Sequence, residues 1–179
     1  VCFTKVIQGD CHLQHLTVRQ AEMVGVVGFS SFTMEDVLVE QCGLGVCASG
    51  TGVTGKCTNV VVRQCEGPGV LASNGASITL IGAKTTVHHN CTKGRAIYFG
   101  LQVNGSSTIQ LVAPLTKEQV SFANGGGGNL GAALGADIKQ IKTIAPLNAS
   151  MKRTPVCLCF ALFVPSSLFL VPSLICFIF

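Results

Sequence analysis

Short apolar runs, each closed by a charged or amide residue and then by glycine or serine, recur along the chain from Leu16 to Cys91. One phrase is present four times: Leu16-Thr17-Val18-Arg19-Gln20-Ala21, Val37-Leu38-Val39-Glu40-Gln41-Cys42, Val60-Val61-Val62-Arg63-Gln64-Cys65, and the looser Thr85-Thr86-Val87-His88-His89-Asn90-Cys91. The copies begin at residues 16, 37, 60 and 85, so they lie 21, 23 and 25 residues apart. A second phrase falls between them, Gly25-Val26, Gly45-Val46 and Gly69-Val70. Self-similarity at such a period predicts a stacked repeat architecture. Within a phrase the side chains alternate: Val37 and Val39 face one way, Leu38 and Glu40 the other, as a strand requires. Each period holds two or three such runs, with Gly and Ser supplying turns. Ser77–Ile81, Phe99–Val103 and Thr108–Val112 read as further strands, the last two joined by the turn Asn104-Gly105-Ser106-Ser107 and stopped by Pro114.

Three short strands per period of roughly 22 residues predict one coil of a parallel β-helix, whose apolar face is buried only when coils stack. A leucine-rich repeat is the next reading, but the Leu-x-x-Leu-x-Leu spacing is missing. A β-sandwich of seven or eight strands is the third. The expected fold is therefore all-β, a right-handed parallel β-helix of about four to five coils over 1–113. A Gly-rich segment of low structure over 114–150 and an apolar, helical tail over 151–179 are expected to follow. The run Asn124-Gly125-Gly126-Gly127-Gly128-Asn129 reads as a flexible loop. It is no phosphate-binding loop, because no Gly-Lys-Ser/Thr follows it.

Stacking would make equivalent positions neighbours about 4.8 Å apart. Arg19, Glu40 and Arg63 would then form an exposed ladder of alternating sign, each contact worth about 0.2–1 kcal/mol. Cys42 and Cys65 would stack between Ala21 and Cys91 as an inward column of small, soft side chains. The extra residue of the fourth copy would be absorbed near His88-His89. Adjacent strand residues face opposite ways, so those two histidines are expected to diverge, as surface groups beside a turn asparagine.

Composition narrows the function. Charged residues are only 11% of the chain and apolar ones 48%, and the net charge of +4 is spread along it. With no Trp and no basic run interleaved with aromatics, nucleic acid is not an expected partner. Of ten cysteines, seven precede the tail (Cys2, Cys11, Cys42, Cys47, Cys57, Cys65 and Cys91). If that part is exported, the odd count leaves at least one thiol unpaired, and the pairing is not deducible from spacing. Cys11-His12 with His15 is the nearest approach to a metal-ligand spacing, and it fits no zinc pattern; no metal or other cofactor is expected.

The run from Gly75-Ala76-Ser77-Ile78 to Val87-His88-His89-Asn90-Cys91-Thr92 resembles the closing coils of right-handed β-helix repeat proteins of unicellular algae. So do Ser107–Glu118, the Gly-rich loop after it and Ala136–Ile144. The resemblance is specific over about 75–144 and generic before that. It implies a pectin-lyase-like fold and a surface or secreted setting, and brings no activity that can be carried over residue by residue.

Two functions follow as expectations. One is a non-catalytic extracellular or cell-surface scaffold that offers its solenoid face to a glycan or a protein. The other is a polysaccharide-active enzyme (lyase, hydrolase or epimerase). Hydrolysis needs two carboxylates about 5–10 Å apart, and calcium-assisted elimination needs several on one face. The chain has eight acids, Asp10, Glu22, Glu35, Asp36, Glu40, Glu66, Glu118 and Asp137. Glu35 and Asp36 are adjacent and diverge; Glu40 and Glu66 fall at different phases of the repeat. No Ser-His-Asp or Cys-His arrangement stands out, so no catalytic residue is assigned.

Val156 to Phe179 is 24 uncharged residues behind Lys152-Arg153, long enough to cross a bilayer of about 30 Å. Three readings stay open for it: a membrane anchor, a removed lipid-anchor signal with Asn148-Ala149-Ser150 as its small residues, or a stretch foreign to the repeat domain. Val1 stands without a starting Met, so the N-terminus is processed or internal, and no signal peptide is legible. Asn90, Asn104 and Asn148 each begin a glycosylation sequon. Asn90 has a second reading, as the cap of a β-helix turn.

Overall fold

The computed structural model describes residues 5–7, 9 and 11–146. The expectations for Cys2, Asp10, Asn148 and the tail lie outside them. The described chain is mostly β and forms three parallel sheets, visited in rotation. The first sheet holds β1 (Lys5–Ile7), β4 (Val24–Gly28), β7 (Leu44–Ser49), β10 (Val70–Ser73), β13 (Phe99–Asn104) and β16 (Gly128–Ala133). The second holds β2 (Cys11–Gln14), β5 (Phe32–Glu35), β8 (Thr54–Thr58), β11 (Ser77–Ile81), β14 (Thr108–Val112) and β17 (Ile141–Ile144). The third holds β3 (Thr17–Arg19), β6 (Leu38–Glu40), β9 (Val61–Arg63), β12 (Thr86–His88) and β15 (Ser121–Phe122). Each strand pairs with the strand three further along, which is the arrangement of a parallel β-helix-like solenoid.

The register explains the repeated phrase. Val18 pairs with Val39, Val39 with Val62, Val62 with Val87 and Val87 with Ser121. Val39, Val62 and Val87 are fully buried. The second sheet adds Leu13, Met34, Cys57, Leu80 and Leu111 in one file, and the first adds Val26, Val46, Val70 and Leu101. These files meet in one core. A single strand buries one face only, so the apolar surface leaves water only through the files of its neighbours.

At two of the three corners the chain turns on a single left-handed residue. Between the second and third sheets the chain turns at His15, Asp36 and Asn59, with φ of 50°, 49° and 53°. Between the third and first it turns at Gln20, Gln41, Gln64, His89 and Ala123, with φ from 50° to 57°. The glutamine that closes three copies of the phrase is thus a left-handed corner, where side-chain-bearing residues are sparse. Stacked backbone bonds hold it: Gln20 N–H donates to Glu40 C=O and Gln41 N–H to Arg63 C=O.

The second phrase also has a steric reason. A Cβ on Gly45 would lie 2.4 Å from Val62 Cγ1 and 2.3 Å from Gly69 O. On Gly25 it would meet Val39 Cγ1 at 2.7 Å, and on Gly69 it would meet Val87 Cγ1 at 2.4 Å. The glycine leaves room for the inward valine of the third sheet. Gly100, before Leu101, continues the series against Asn124 and Ser121.

β-structure continues past Val112, where the expected low-structure segment of 114–150 was to begin. Thr116 and Gln119 form a reciprocal capping box on α1 (Lys117–Val120), which buries Val120. β15, β16 and β17 then extend all three sheets. The Gly run is only partly a loop, since Gly128 and Asn129 already belong to β16. Glycine is required there by the Phe99 ring, which a Cβ on Gly127 or Gly131 would enter at 2.4 Å and 2.1 Å. Counting glycines overstated flexibility because here they make room for an aromatic neighbour.

Candidate binding faces

The outer face of the third sheet carries the ladder Arg19, Glu40, Arg63, His88, Phe122, fixed by the strand register. Arg63 donates to Glu40 Oε2 from Nε at 3.0 Å and from Nη2 at 2.7 Å. Arg19 Nη2 donates to Glu40 Oε1 from the other side. The alternating ladder is present, but it is not exposed throughout. The Glu40 side chain is only 5% exposed, against 58% and 41% for Arg19 and Arg63. Two long guanidinium side chains from the adjacent coils lie over a shorter carboxylate, as amphipathic stems do. The Arg63 hydrogen bonds hold the Glu40 carboxyl below its usual range; burial opposes this, and Arg19 adds to it.

His88 follows Arg63 in the ladder, and its ring stacks on Phe122 at 5.0 Å between centroids and 8° between planes. His89 does not diverge from it. The left-handed corner, φ 54° at His89, breaks strand alternation and brings the two Nδ1 atoms to 2.7 Å. Two Nδ1 atoms so close share one proton, one donating and the other accepting. Burial pushes the His88 pKa down, and the charges of His89 and Arg63 push it the same way. A hollow of about 330 Å³ opens beside the ladder, with Asp36, Leu38, Asn59, Val61, Arg63 and Lys84 in its wall.

The cysteine column differs from expectation in one member. Ala21, Cys42 and Cys65 follow the corner glutamines and are buried, but the next residue in that position is Asn90, not Cys91. Cys91 is itself the additional residue, with a second positive φ of 60°. Its thiol is buried beside the column, and burial pushes it up to about 11. Asn90 Oδ1 accepts from Cys65 N–H at 3.1 Å, and its Nδ2 donates to Val62 C=O at 3.0 Å. Asn124 repeats the arrangement one coil on, accepting from Asn90 N–H and donating to Val87 C=O. Asn90 therefore caps a β-helix turn, and the nitrogen that a glycan would occupy is engaged in the interior. Asn104, at the end of β13, is half-buried and accepts from Gln102 Nε2 at 3.2 Å.

Several of the described carboxylates are engaged with separate partners. Asp36 faces His15 at 3.6 Å, Glu35 accepts from Gln14, Glu66 pairs with Lys93, and Asp137 caps the 3₁₀ turn Ile138–Gln140. A second hollow, of about 450 Å³, lies on the first sheet between Met23, Leu44, Pro68, Leu71, Tyr98 and Gln102, without a carboxylate in its wall. His12 is bonded to Thr33, and among the described residues no three of His, Cys, Asp and Glu stand together as a metal-binding group. Among the described residues no helix is long and apolar enough to cross a membrane. No family model matches the chain, and no curated protein or solved structure matches it.

Proposed function

We propose that this protein is a non-catalytic scaffold of the extracellular space or cell surface, a right-handed, pectin-lyase-like β-helix whose outer faces take a glycan or a protein partner. The observation that carries this reading is the separate engagement of its described acids. Glu40 lies between two arginines, and Glu66 and Asp36 each have a separate basic partner. Cleavage of a glycosidic bond needs two carboxylates facing one substrate, and four hollows of the described surface have at most one each in their walls. The third sheet supplies a recognition surface in register: Leu38 and Val61 in one file, Arg63, His88 and the partly exposed Phe122 in the next. Cationic and aromatic groups on a rigid sheet suit acidic glycans or acidic protein surfaces. In this reading the apolar tail is the membrane attachment.

The test is a binding screen of the full chain against immobilised uronate and neutral polysaccharides, run beside an assay for their depolymerisation. Retention on a polysaccharide without new reducing ends or unsaturated products is the expected result. Product formation would overturn the scaffold in favour of the polysaccharide-active enzyme.

A further inference from the structure

We propose that the hollow on the outer face of the first sheet binds a small, neutral, largely apolar ring that carries one hydrogen-bond donor, of the indole or phenol type, whose N–H or O–H is taken by Gln102 Oε1. Leu101 and Val103, on either side of Gln102, belong to the core, so strand alternation turns Gln102 outward. It is nevertheless only 6% exposed. Its register neighbour on one side is Leu71. On the other side it is Gly131, where a Cβ would come within 2.1 Å of the Phe99 ring. The ring fills the place of a side chain at 131 and shields the amide from that direction.

A shielded amide needs partners at both of its ends. Gln102 Nε2 has one, Asn104 Oδ1 at 3.2 Å. Gln102 Oε1 has none among the described residues. An acceptor left so destabilises the fold, and a donor that reaches it removes the penalty. Gln102 forms part of the wall of a hollow of about 450 Å³, a size that suits small molecules. The terminal torsion of glutamine is soft, so a small turn presents Oε1 to an occupant.

The rest of the wall sets the class of that occupant. Val24, Leu44, Pro68 and Leu71 offer apolar contact and Tyr98 an aromatic one, and no carboxylate lines the described hollow. The charges beside Tyr98 are already matched. Lys93 pairs with Glu66, and the Arg95 guanidinium lies over the Tyr98 ring, 5.8 Å from its centroid. Nothing there calls for a charged ligand. A saccharide brings a hydroxyl on nearly every ring carbon, and only Gln102, Asn104 and Tyr98 supply polar side chains to meet them. An aromatic ring with one donor buries its carbon against the apolar wall and has its single polar hydrogen matched. The site lies on a different sheet from Arg63, His88 and Phe122, and does not depend on what that surface takes.

Indole is the probe, and N-methylindole, the same ring without the N–H, is its control. Each is titrated into the labelled full chain while the Gln102 side-chain amide and the Leu71 methyl groups are followed by NMR. Saturable shifts at both residues are expected with indole, and at least tenfold weaker binding with N-methylindole. Gln102→Leu removes the acceptor and nearly keeps the volume, and an apolar residue between Leu71 and Phe99 is compatible with the fold. Indole is expected to lose at least tenfold in affinity in this variant, while N-methylindole does not weaken. Equal affinity for the two probes in the wild-type chain would overturn the proposal, whether or not Gln102→Leu folds. So would the lack of a saturable shift at Leu71 and Gln102, the result expected if water alone satisfies Oε1, or a response to methyl glucoside at lower concentration than to indole.

Discussion

Asn90 takes over from the backbone at the corner above Cys65: its Oδ1 accepts the Cys65 N–H at 3.1 Å while its Nδ2 donates to Val62 C=O at 3.0 Å. One side chain thus satisfies two buried main-chain groups of the preceding coil. It is also tied to Asn124 Oδ1 through its own N–H and Nδ2, at 3.0 and 3.1 Å. Replacement by alanine strands the Cys65 N–H and the Val62 C=O together. Each unsatisfied buried group costs about 1–3 kcal/mol, so Asn90→Ala is expected to lower stability by about 3 kcal/mol in urea unfolding. A loss below about 1 kcal/mol, the range of an exposed turn residue, would show that the corner is not held this way.

Two glycines, one inside β7 and one in the turn after it, give a sharper steric contrast. A Cβ on Gly45 collides with Val62 Cγ1 and with the Gly69 carbonyl, whereas Gly52, at φ 78°, has nothing within 4 Å of its would-be Cβ. Overpacking costs about 1–3 kcal/mol and more where backbone must move; left-handed strain costs about 1–2 kcal/mol. Gly45→Ala is therefore expected to destabilise by at least about 3 kcal/mol and Gly52→Ala by about 1 kcal/mol. Equal midpoint shifts in the two variants would remove the packing account of the Gly-Val phrase.

These positions mark how far the sequence can be read. The phrase ending in Arg-Gln-Cys named the inward valines, the third-sheet register and the stack through Cys65, because period-two alternation and a fixed repeat leave little freedom. It did not place Asn90. Cys91 carries the letter of the earlier copies, and only the hydrogen bonds to Cys65 and Val62 reveal that asparagine fills the site. The convergence of His88 and His89 was hidden for a related reason: alternation holds within a strand and fails at a left-handed residue, and nothing in a His-His pair announces one. Glu40 looked exposed because its cover comes from Arg19 and Arg63, each about a full period away. The Thr116-x-x-Gln119 capping box was readable and argued for order beyond Pro114, against the glycines that followed.

Stability should fall with acid in two separable steps. His88 has a depressed pKa in the folded chain, so the unfolded chain binds a proton that the fold resists. Its contribution is present above the ordinary histidine value of 6.5 and is lost as pH falls below it. Glu40 is also depressed, from the ordinary glutamate value of 4.5. Its pairing contributes fully above that value and is lost as pH falls through the lower folded one. Urea midpoints at pH values of about 7.5, 5.5 and 3.5 bracket the two windows. His88→Gln should flatten the first interval alone and Glu40→Gln the second alone. If His88→Gln leaves the drop between the first two points unchanged, His88 is not the group responsible.

The two arginines that flank Glu40 should not be equivalent. Arg63 reaches the carboxylate with Nε and Nη2, both onto Oε2 at 3.0 and 2.7 Å, whereas Arg19 contributes Nη2 to Oε1. Arg63 is also the less exposed of the two, at 41% against 58%. Hydrogen bonds to charged groups contribute about 1.5–3 kcal/mol when shielded, and exposure reduces this towards the 0–1 kcal/mol of surface pairs. Arg63→Ala is therefore expected to cost about 1–2 kcal/mol and Arg19→Ala less than about 1 kcal/mol. Lysine at 63 should recover only part of the loss, because a single ammonium cannot reproduce the Nε and Nη2 contacts. In Glu40→Gln the two arginines face each other without the carboxylate, so a further Arg63→Ala change should cost less in that background than in the wild type. The double-mutant cycle isolates that coupling. Additive losses across the cycle would mean that Arg63 stabilises the coil by packing its stem over the strand, and that the charge on Glu40 is incidental to it.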